Sequence, residues 1–343
     1  MEQKITTIGL DLAKSVFQVH AIARDGIIVA RRPLRRSQVL DFFRKLDPCP
    51  VGLEACGSAH YWAQAIQSLG HTVRMMPPSY VKAYVKRNKT DAADAEAICE
   101  AVTRPTVRFV PIKSSDEQAA GMVLKTRGLF VRQRTQTANA LRSHMAEMGI
   151  VAATGMTSIA KLIVILRDDD AKLPSAARFA LLEMAAQTEG PTAQIEKLDK
   201  EILATVKNDE VARRLMSIPD IGPLIAATVR ATVQDPTNFP TGRDLAAWIG
   251  LTPRSSSSGG KERLGKISKQ GNKQLRTLLI VGATSILKLF RRGLKLPAWI
   301  TSLMSRRPFK VVAVALANKI TRTIWALMVK GGCYETPSIM AKA

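Results

Sequence analysis

A carboxylate sits inside what should be the core of a strand. Residues 5–12 read ITTIGLDL, and Asp11 is the single charged residue in that run. Residues 51–54, VGLE, repeat the pattern and end on Glu54. An unpaired carboxylate in or beside a core costs several kcal/mol, so each predicts a partner cation. For either acid alone, a strand end that reaches solvent explains it as well. The surrounding pattern fixes the fold class. Residues 15–23 (SVFQVHAIA) and 27–30 are further strands, and Asp25-Gly26 between them is a hairpin signal. Residues 37–46 fit a helix capped by Ser37. Residues 59–70 (AHYWAQAIQSLG) predict a helix, and residues 71–76 (HTVRMM) another strand. Three antiparallel strands followed by helix–strand alternation imply an α/β domain built on a mixed sheet.

A third acidic feature follows, KTDAADAEAI at residues 89–98. Thr90 is placed to cap a helix on which Asp91 and Asp94 share one face, while Glu96 points elsewhere. Acids favoured by the helix dipole are the alternative reading. Taken together, Asp11, Glu54, Asp91 and Asp94 supply an all-oxygen ligand set suited to Mg²⁺. Paired divalent ions of this kind serve phosphoryl transfer.

The net charge is +23 over 343 residues, which implies a polyanionic partner. It is concentrated late in the chain. Between Asp244 and Glu335 the single acid Glu262 faces 17 Lys and Arg. No uninterrupted apolar run of about 18 residues occurs, so no membrane span is expected. The N-terminus has no signal-peptide pattern, and a cytoplasmic, nucleoid-associated location is expected. Cys49, Cys56, Cys99 and Cys333 match neither zinc nor disulfide spacing.

Residues 116–147, 158–167, 174–187 and 192–206 read as helices. Ile195, Leu198, Ile202 and Val206 form a near-heptad stripe, either a coiled-coil seam or an internal packing face. The Arg-rich residues 125–142 are open to two readings, a nucleic-acid-facing helix or a solvated face. Residues 215–229 resemble a helix-hairpin-helix turn, in which Gly222 would let backbone amides meet a DNA phosphate. Residues 250–276 (GLTPRSSSSGGKERLGKISKQGNKQLR) then carry four serines into Gly259-Gly260. Packed elements abut both ends, so an ordered, phosphate-facing loop is expected in place of a flexible linker. Arg254, Lys261, Arg263, Lys266, Lys269, Lys273 and Arg276 are its candidate phosphate contacts, with Ser257 and Gly259 beside them. Further helices are expected at 285–292 and at 298–330, the latter broken at Pro308.

Three segments, GLDLAKSVFQVHAIARDG, VGLEACGSAHYWA and RNKTDAADAEAICEAVTRP, resemble the RuvC-like, DEDD-type catalytic domain of the IS one-ten family of bacterial insertion-sequence transposases. GLTPRSSSSGGKERLGKISKQGNKQLRTLL resembles the second signature of that family. The resemblance implies an RNase H-like domain over 1–114, a helical, coiled-coil-like assembly region over 115–209, and a helical C-terminal transposase domain over 210–343. It implies Asp11, Glu54, Asp91 and Asp94 as metal ligands and Ser258 as nucleophile. Because four serines run together, Ser257 stays open as the alternative. A serine hydroxyl needs activation. Only Glu262 is acidic nearby, so the acidic site of the same or a partner subunit is the expected source. The resemblance further implies a covalent serine–DNA link, double-stranded donor and target DNA, a structured RNA encoded by the element as guide, and a homo-oligomer, dimer or tetramer. The rivals are a RuvC-like nuclease or junction resolvase that cuts by hydrolysis, and a nucleic-acid-binding protein without catalysis.

Overall fold

The computed structural model describes residues 4–86, 90–168, 173–257, 259–261, 263–290 and 297–335. The chain divides into two compact units, residues 1–117 and 118–343.

The first unit is organised by a five-stranded sheet. Its strands are β1 (Thr7–Asp11), β2 (Val16–Ile22), β3 (Ile28–Arg35), β4 (Pro50–Glu54) and β5 (Thr72–Met76), in the order β3-β2-β1-β4-β5. The β1–β2 and β2–β3 pairs are antiparallel, whereas β1–β4 and β4–β5 are parallel. The expected mixed sheet is present. Gly26 makes the β2–β3 turn at φ +83°, a conformation open to glycine at no steric cost. Short helices α1 (Val39–Arg44) and α2 (Ala59–Gln67) connect the strands. Ser37 does not cap α1; it lies within a 3-10 turn at Arg36–Gln38, and Gln38 is the cap residue. The helix α3 (Pro78–Val81) and the longer α4 (Asp91–Val102) follow β5.

Strand alternation sorts the side chains into two layers. Ile8, Leu10, Val51 and Leu53 are buried with Phe17, Val39, Phe43, Trp62 and Ile66 on the α1–α2 side. Each such side chain contributes roughly 1.5–3 kcal/mol on burial. The other side holds Met76, Ile98, Ala101 and Val102, with α4 lying against β1 and β4.

The second unit is helical. Helix α5 (Ser115–Glu147) is followed by α6 (Met156–Arg167), α7 (Ser175–Asn208), α8 (Glu210–Leu215), α9 (Pro223–Thr232) and α10 (Gly242–Ile249). A ribbon, β6 (Pro253–Ser255) antiparallel to β7 (Leu264–Ile267), precedes α11 (Lys273–Phe290), α12 (Ala298–Arg306) and α13 (Phe309–Lys330). The two helices expected at 174–187 and 192–206 are one, because α7 runs through Pro191, which is buried inside it. Ala138, Leu141, Met145, Ile159, Leu162, Leu166, Leu181 and Ala185 form one core. Ile202 and Val206 join a second core with Leu124, Leu215, Ile225, Leu245, Leu279 and Leu316. Three residues of the near-heptad stripe, Ile195, Ile202 and Val206, are therefore buried within the chain, and Leu198 is half-buried. Arg127, from the Arg-rich run, pairs with Asp199 through two guanidinium nitrogens, fastening α5 to α7.

Among the described residues α13 alone is long and apolar enough to cross a membrane. Its Val312, Ala313, Leu316, Ala317, Ile320 and Ile324 are buried in the second core.

Candidate active site: an acidic cluster and a serine ribbon

Two glycines let α4 reach the sheet. Gly9 of β1 is paired with Gly52 of β4. A Cβ on Gly9 would collide with the Ala95 carbonyl and the Cys99 amide, and one on Gly52 would come within 2.9 Å of Val102 Cβ. Both face α4, as do Asp11 and Glu54 two residues further along each strand. Thr90 caps the helix, its Oγ1 accepting from the Ala93 amide at 3.2 Å. Asp91 and Asp94 therefore leave the first turn of α4 directly above the end of β1. Glu96 is turned away, ion-paired to Lys86, whose hydrogen bond, helped by its charge, holds the carboxyl below the usual range.

The result is a cluster in which carboxylate oxygens of Asp11, Asp91 and Asp94 all lie within 4.8 Å of one another. Burial is the first cause that pushes Asp11 up to about 6, and the charges of Asp94, Asp91 and Glu54 add to it, against one hydrogen bond from the Leu12 amide. Glu54 thus acts on the cluster from the neighbouring strand, while the close triad consists of the three aspartates. Carboxylates crowded this tightly call for a hard cation with oxygen ligands.

The serine segment is a ribbon clamped at its base. Gly250 caps α10 at φ +83°, and a Cβ there would stand 2.5 Å from the Gln270 backbone. Gly271, at φ +66°, approaches the Trp248 carbonyl as closely. Buried Arg276 donates from Nη1 to the carbonyls of Ile249 (2.8 Å) and Gln270 (2.5 Å). The Ser268 amide donates to Thr252 at 2.9 Å, and an Arg254 guanidinium nitrogen to Ser268 at 3.1 Å. At the far end Gly259 and Gly260 take φ +56° and +74° with open space around them. Ser257 Oγ lies 2.8 Å from Ser255 Oγ and accepts from the Arg263 amide at 3.3 Å. Ser258 and Glu262 lie outside the described residues. Lys261, Arg263, Lys266, Lys269 and Lys273 are exposed along the ribbon and the start of α11.

The Transposase IS116/IS110/IS902 family model matches residues 212–295, and a DEDD transposase model of the IS110 type matches residues 8–150. A probable family 20 transposase of Pseudomonas aeruginosa is 46% identical over 334 residues, covering 96% of this chain and 99% of that protein. A putative transposase, y4pF/y4sB, of Sinorhizobium fredii is 44% identical over 335 residues, or 97% and 86% of the two chains. The transposase for insertion sequence element IS1328 of Yersinia enterocolitica is 35% identical over 332 residues, 96% and 99%. The chain belongs to the IS110/IS116/IS902 transposase family. It is a DNA-transposing enzyme, and the expected resemblance is shown.

In this transposase one expected phosphate contact has other work. Arg276 is 8% exposed and spends its guanidinium on backbone carbonyls, so it braces the ribbon base instead of facing a phosphate. Gly222 sits at φ −84°, where any residue fits, and a Cβ would meet nothing within 4 Å. The left-handed residue of the α8–α9 turn is Asp220, at φ +63°. Sequence reasoning passed over Gly9, Gly52 and Gly271. The signal available was a glycine two residues before each strand acid, spaced to share its face.

Proposed function

We propose that this transposase cuts and rejoins DNA through Ser258, with Asp11, Asp91 and Asp94, supported by Glu54, holding Mg²⁺ in an RNase H/RuvC-like domain. The observation that carries the proposal is the convergence of three aspartate carboxylates within 4.8 Å. Their all-oxygen, anionic donor set fits Mg²⁺, which would supply charge neutralisation at the scissile phosphate. The mixed sheet with its antiparallel β1–β2–β3 and parallel β1–β4–β5 pairs supports the RuvC-like reading. The chain's own residues do the rest. The exposed cations Arg254, Lys261, Arg263, Lys266, Lys269 and Lys273 hold the DNA backbone, and the Gly259-Gly260 turn brings that backbone close to the serine. Ser257 already shares its hydroxyl with Ser255 and the Arg263 amide, which counts against Ser257 and leaves Ser258 as the proposed nucleophile.

In the proposed step the serine oxygen forms a bond to phosphorus as the bond to the departing sugar oxygen breaks. The serine proton ends on that departing oxygen. The phosphodiester energy stays in the phosphoserine link, so rejoining by a DNA hydroxyl needs no nucleotide. We assign the roles by region: catalysis by residues 1–114, assembly of a dimer or tetramer by 115–209, and strand transfer by 210–343. The enzyme is proposed to work in the cytoplasm at the nucleoid, on double-stranded donor and target DNA. A structured RNA from the element would guide it, a partner with which the surplus of basic residues is compatible.

The test is a denaturing gel for a protein–DNA adduct, using protein expressed with its element's flanking non-coding DNA and Mg²⁺. The adduct should appear in wild type and Ser257→Ala and disappear in Ser258→Ala. Metal-dependent cutting with no adduct in wild type would overturn serine attack and leave hydrolysis.

A further inference from the structure

The first unit also carries a cleft that none of the catalytic assignments uses. It is open, about 700 Å³ in volume, and lined by Lys14, Ser15, Val16, Arg35, Arg36, Ser37, Tyr61 and Trp62. That volume is in the range of small-molecule sites. One wall is the link between β1 and β2, which begins immediately after Asp11. The other is the start of α2.

Two chemistries meet there. Tyr61 is 56% exposed, and its ring meets buried Trp62 edge-on at 5.3 Å; Trp62 in turn meets Phe17 edge-on at 4.9 Å. Arg36 lies over the Trp62 ring at 5.0 Å, and its amide donates to the Ser15 carbonyl at 2.9 Å. The cleft is thus built on a braced aromatic floor, with its rim pinned by the backbone. No carboxylate lines it, and among the described residues Lys14, Arg35 and Arg36 have no acidic partner. An exposed ring beside uncompensated cations is the arrangement that takes a base on its face and the adjoining phosphate on its charges.

We infer that the Tyr61 cleft binds an unpaired nucleotide of a nucleic-acid strand, the base against Tyr61 and the phosphate on Lys14, Arg35 and Arg36. This deepens the proposed function and rests on it, since it places a single-strand subsite in the same unit as the carboxylates that would act on the strand. A displaced DNA strand and a guide RNA share this chemistry.

The experiment uses the full-length protein and fluorescently labelled oligothymidylate, oligouridylate and duplex DNA, read by anisotropy. In parallel, strands carrying 5-bromouracil are photocrosslinked and the peptides mapped. The expected result is a crosslink at Tyr61. Tyr61→Ala should weaken single-strand binding roughly five- to hundredfold, the scale for losing one stacked base, and leave duplex binding unchanged. Tyr61→Phe should restore it. Lys14→Ala and Arg35→Ala should each flatten the salt dependence, by about 0.7 in the log–log slope. Tighter binding of oligouridylate identifies RNA as the source, and tighter binding of oligothymidylate identifies DNA. Unchanged single-strand affinity in a folded Tyr61→Ala protein, or crosslinks confined to the second unit, overturns the inference. Asp11→Asn keeps the two readings separable. It should lose cutting yet keep the single-strand preference, whereas cutting with no such preference removes the cleft alone.

Discussion

The acidic cluster and the serine ribbon are built by opposite means. The cluster exists because a helix comes down onto a sheet, and nothing in residues 91–94 alone would place them near Asp11. Its geometry depends on two missing side chains, at Gly9 and Gly52. The ribbon is local, a contiguous segment whose ends are locked by Gly250, Gly271 and Arg276 and whose tip stands in the open. The first arrangement gives fixed spacing between charges. The second gives a rigid base with a reachable end, suited to meeting a backbone that arrives from outside.

Substitutions can pull the two apart. The largest expected effect is on cutting: Asp11→Asn should lower the cleavage rate at least about a hundredfold, the scale for removing one preorganised charge, while duplex binding persists in anisotropy. Next, Gly9→Ala should destabilise the first unit by about 3 kcal/mol, because the new methyl must displace helix backbone. Urea unfolding should show that unit's transition moving to lower denaturant and the helical unit's staying in place. Gly271→Ala should do the converse at about 2 kcal/mol, through a left-handed φ and a blocked approach to Trp248. It should also reduce the serine adduct with the serines intact.

The smallest effect is electrostatic. Asp11 is raised from 3.8 to about 6, so the folded state holds a proton that the unfolded chain has released. Without divalent ions, stability should therefore fall as pH rises from about 4 through 6 and then level off. Comparing wild type with Asp11→Asn across that range isolates the contribution, on the order of 1 kcal/mol after solvent screening. Adding Mg²⁺ should raise Tm in wild type and not in Asp94→Asn.

What could be read without coordinates was whatever repeats at short range. The β2–β3 turn at Asp25-Gly26, the Thr90 cap and the shared face of Asp91 and Asp94 are each written within four residues. The mixed sheet followed from strand–helix order. Long-range causes were hidden. The burial of Arg276 depends on carbonyls at Ile249 and Gln270, and its charge made it look like its exposed neighbours. The expected helices at 174–187 and 192–206 left residues 188–191 between them, yet packing on both sides carries α7 through Pro191. The 3-10 turn at Arg36–Gln38 displaced the expected Ser37 cap. The ribbon strands were missed because Pro253–Ser255 and Leu264–Ile267 are short and lack alternating apolar residues. Their pairing is set by the clamp below them.

The glycine–acid spacing on β1 and β4 has a genetic consequence. Because side chains alternate along a strand, inserting or deleting one codon upstream of Asp11 within β1 would send the aspartate into the layer of Phe17 and Trp62 and turn Ile8 or Leu10 towards α4. Such an allele keeps its reading frame, its length to within one residue and nearly all its composition. If Asp11 has the metal-holding role proposed above, it would nonetheless leave the mobile element unable to cut.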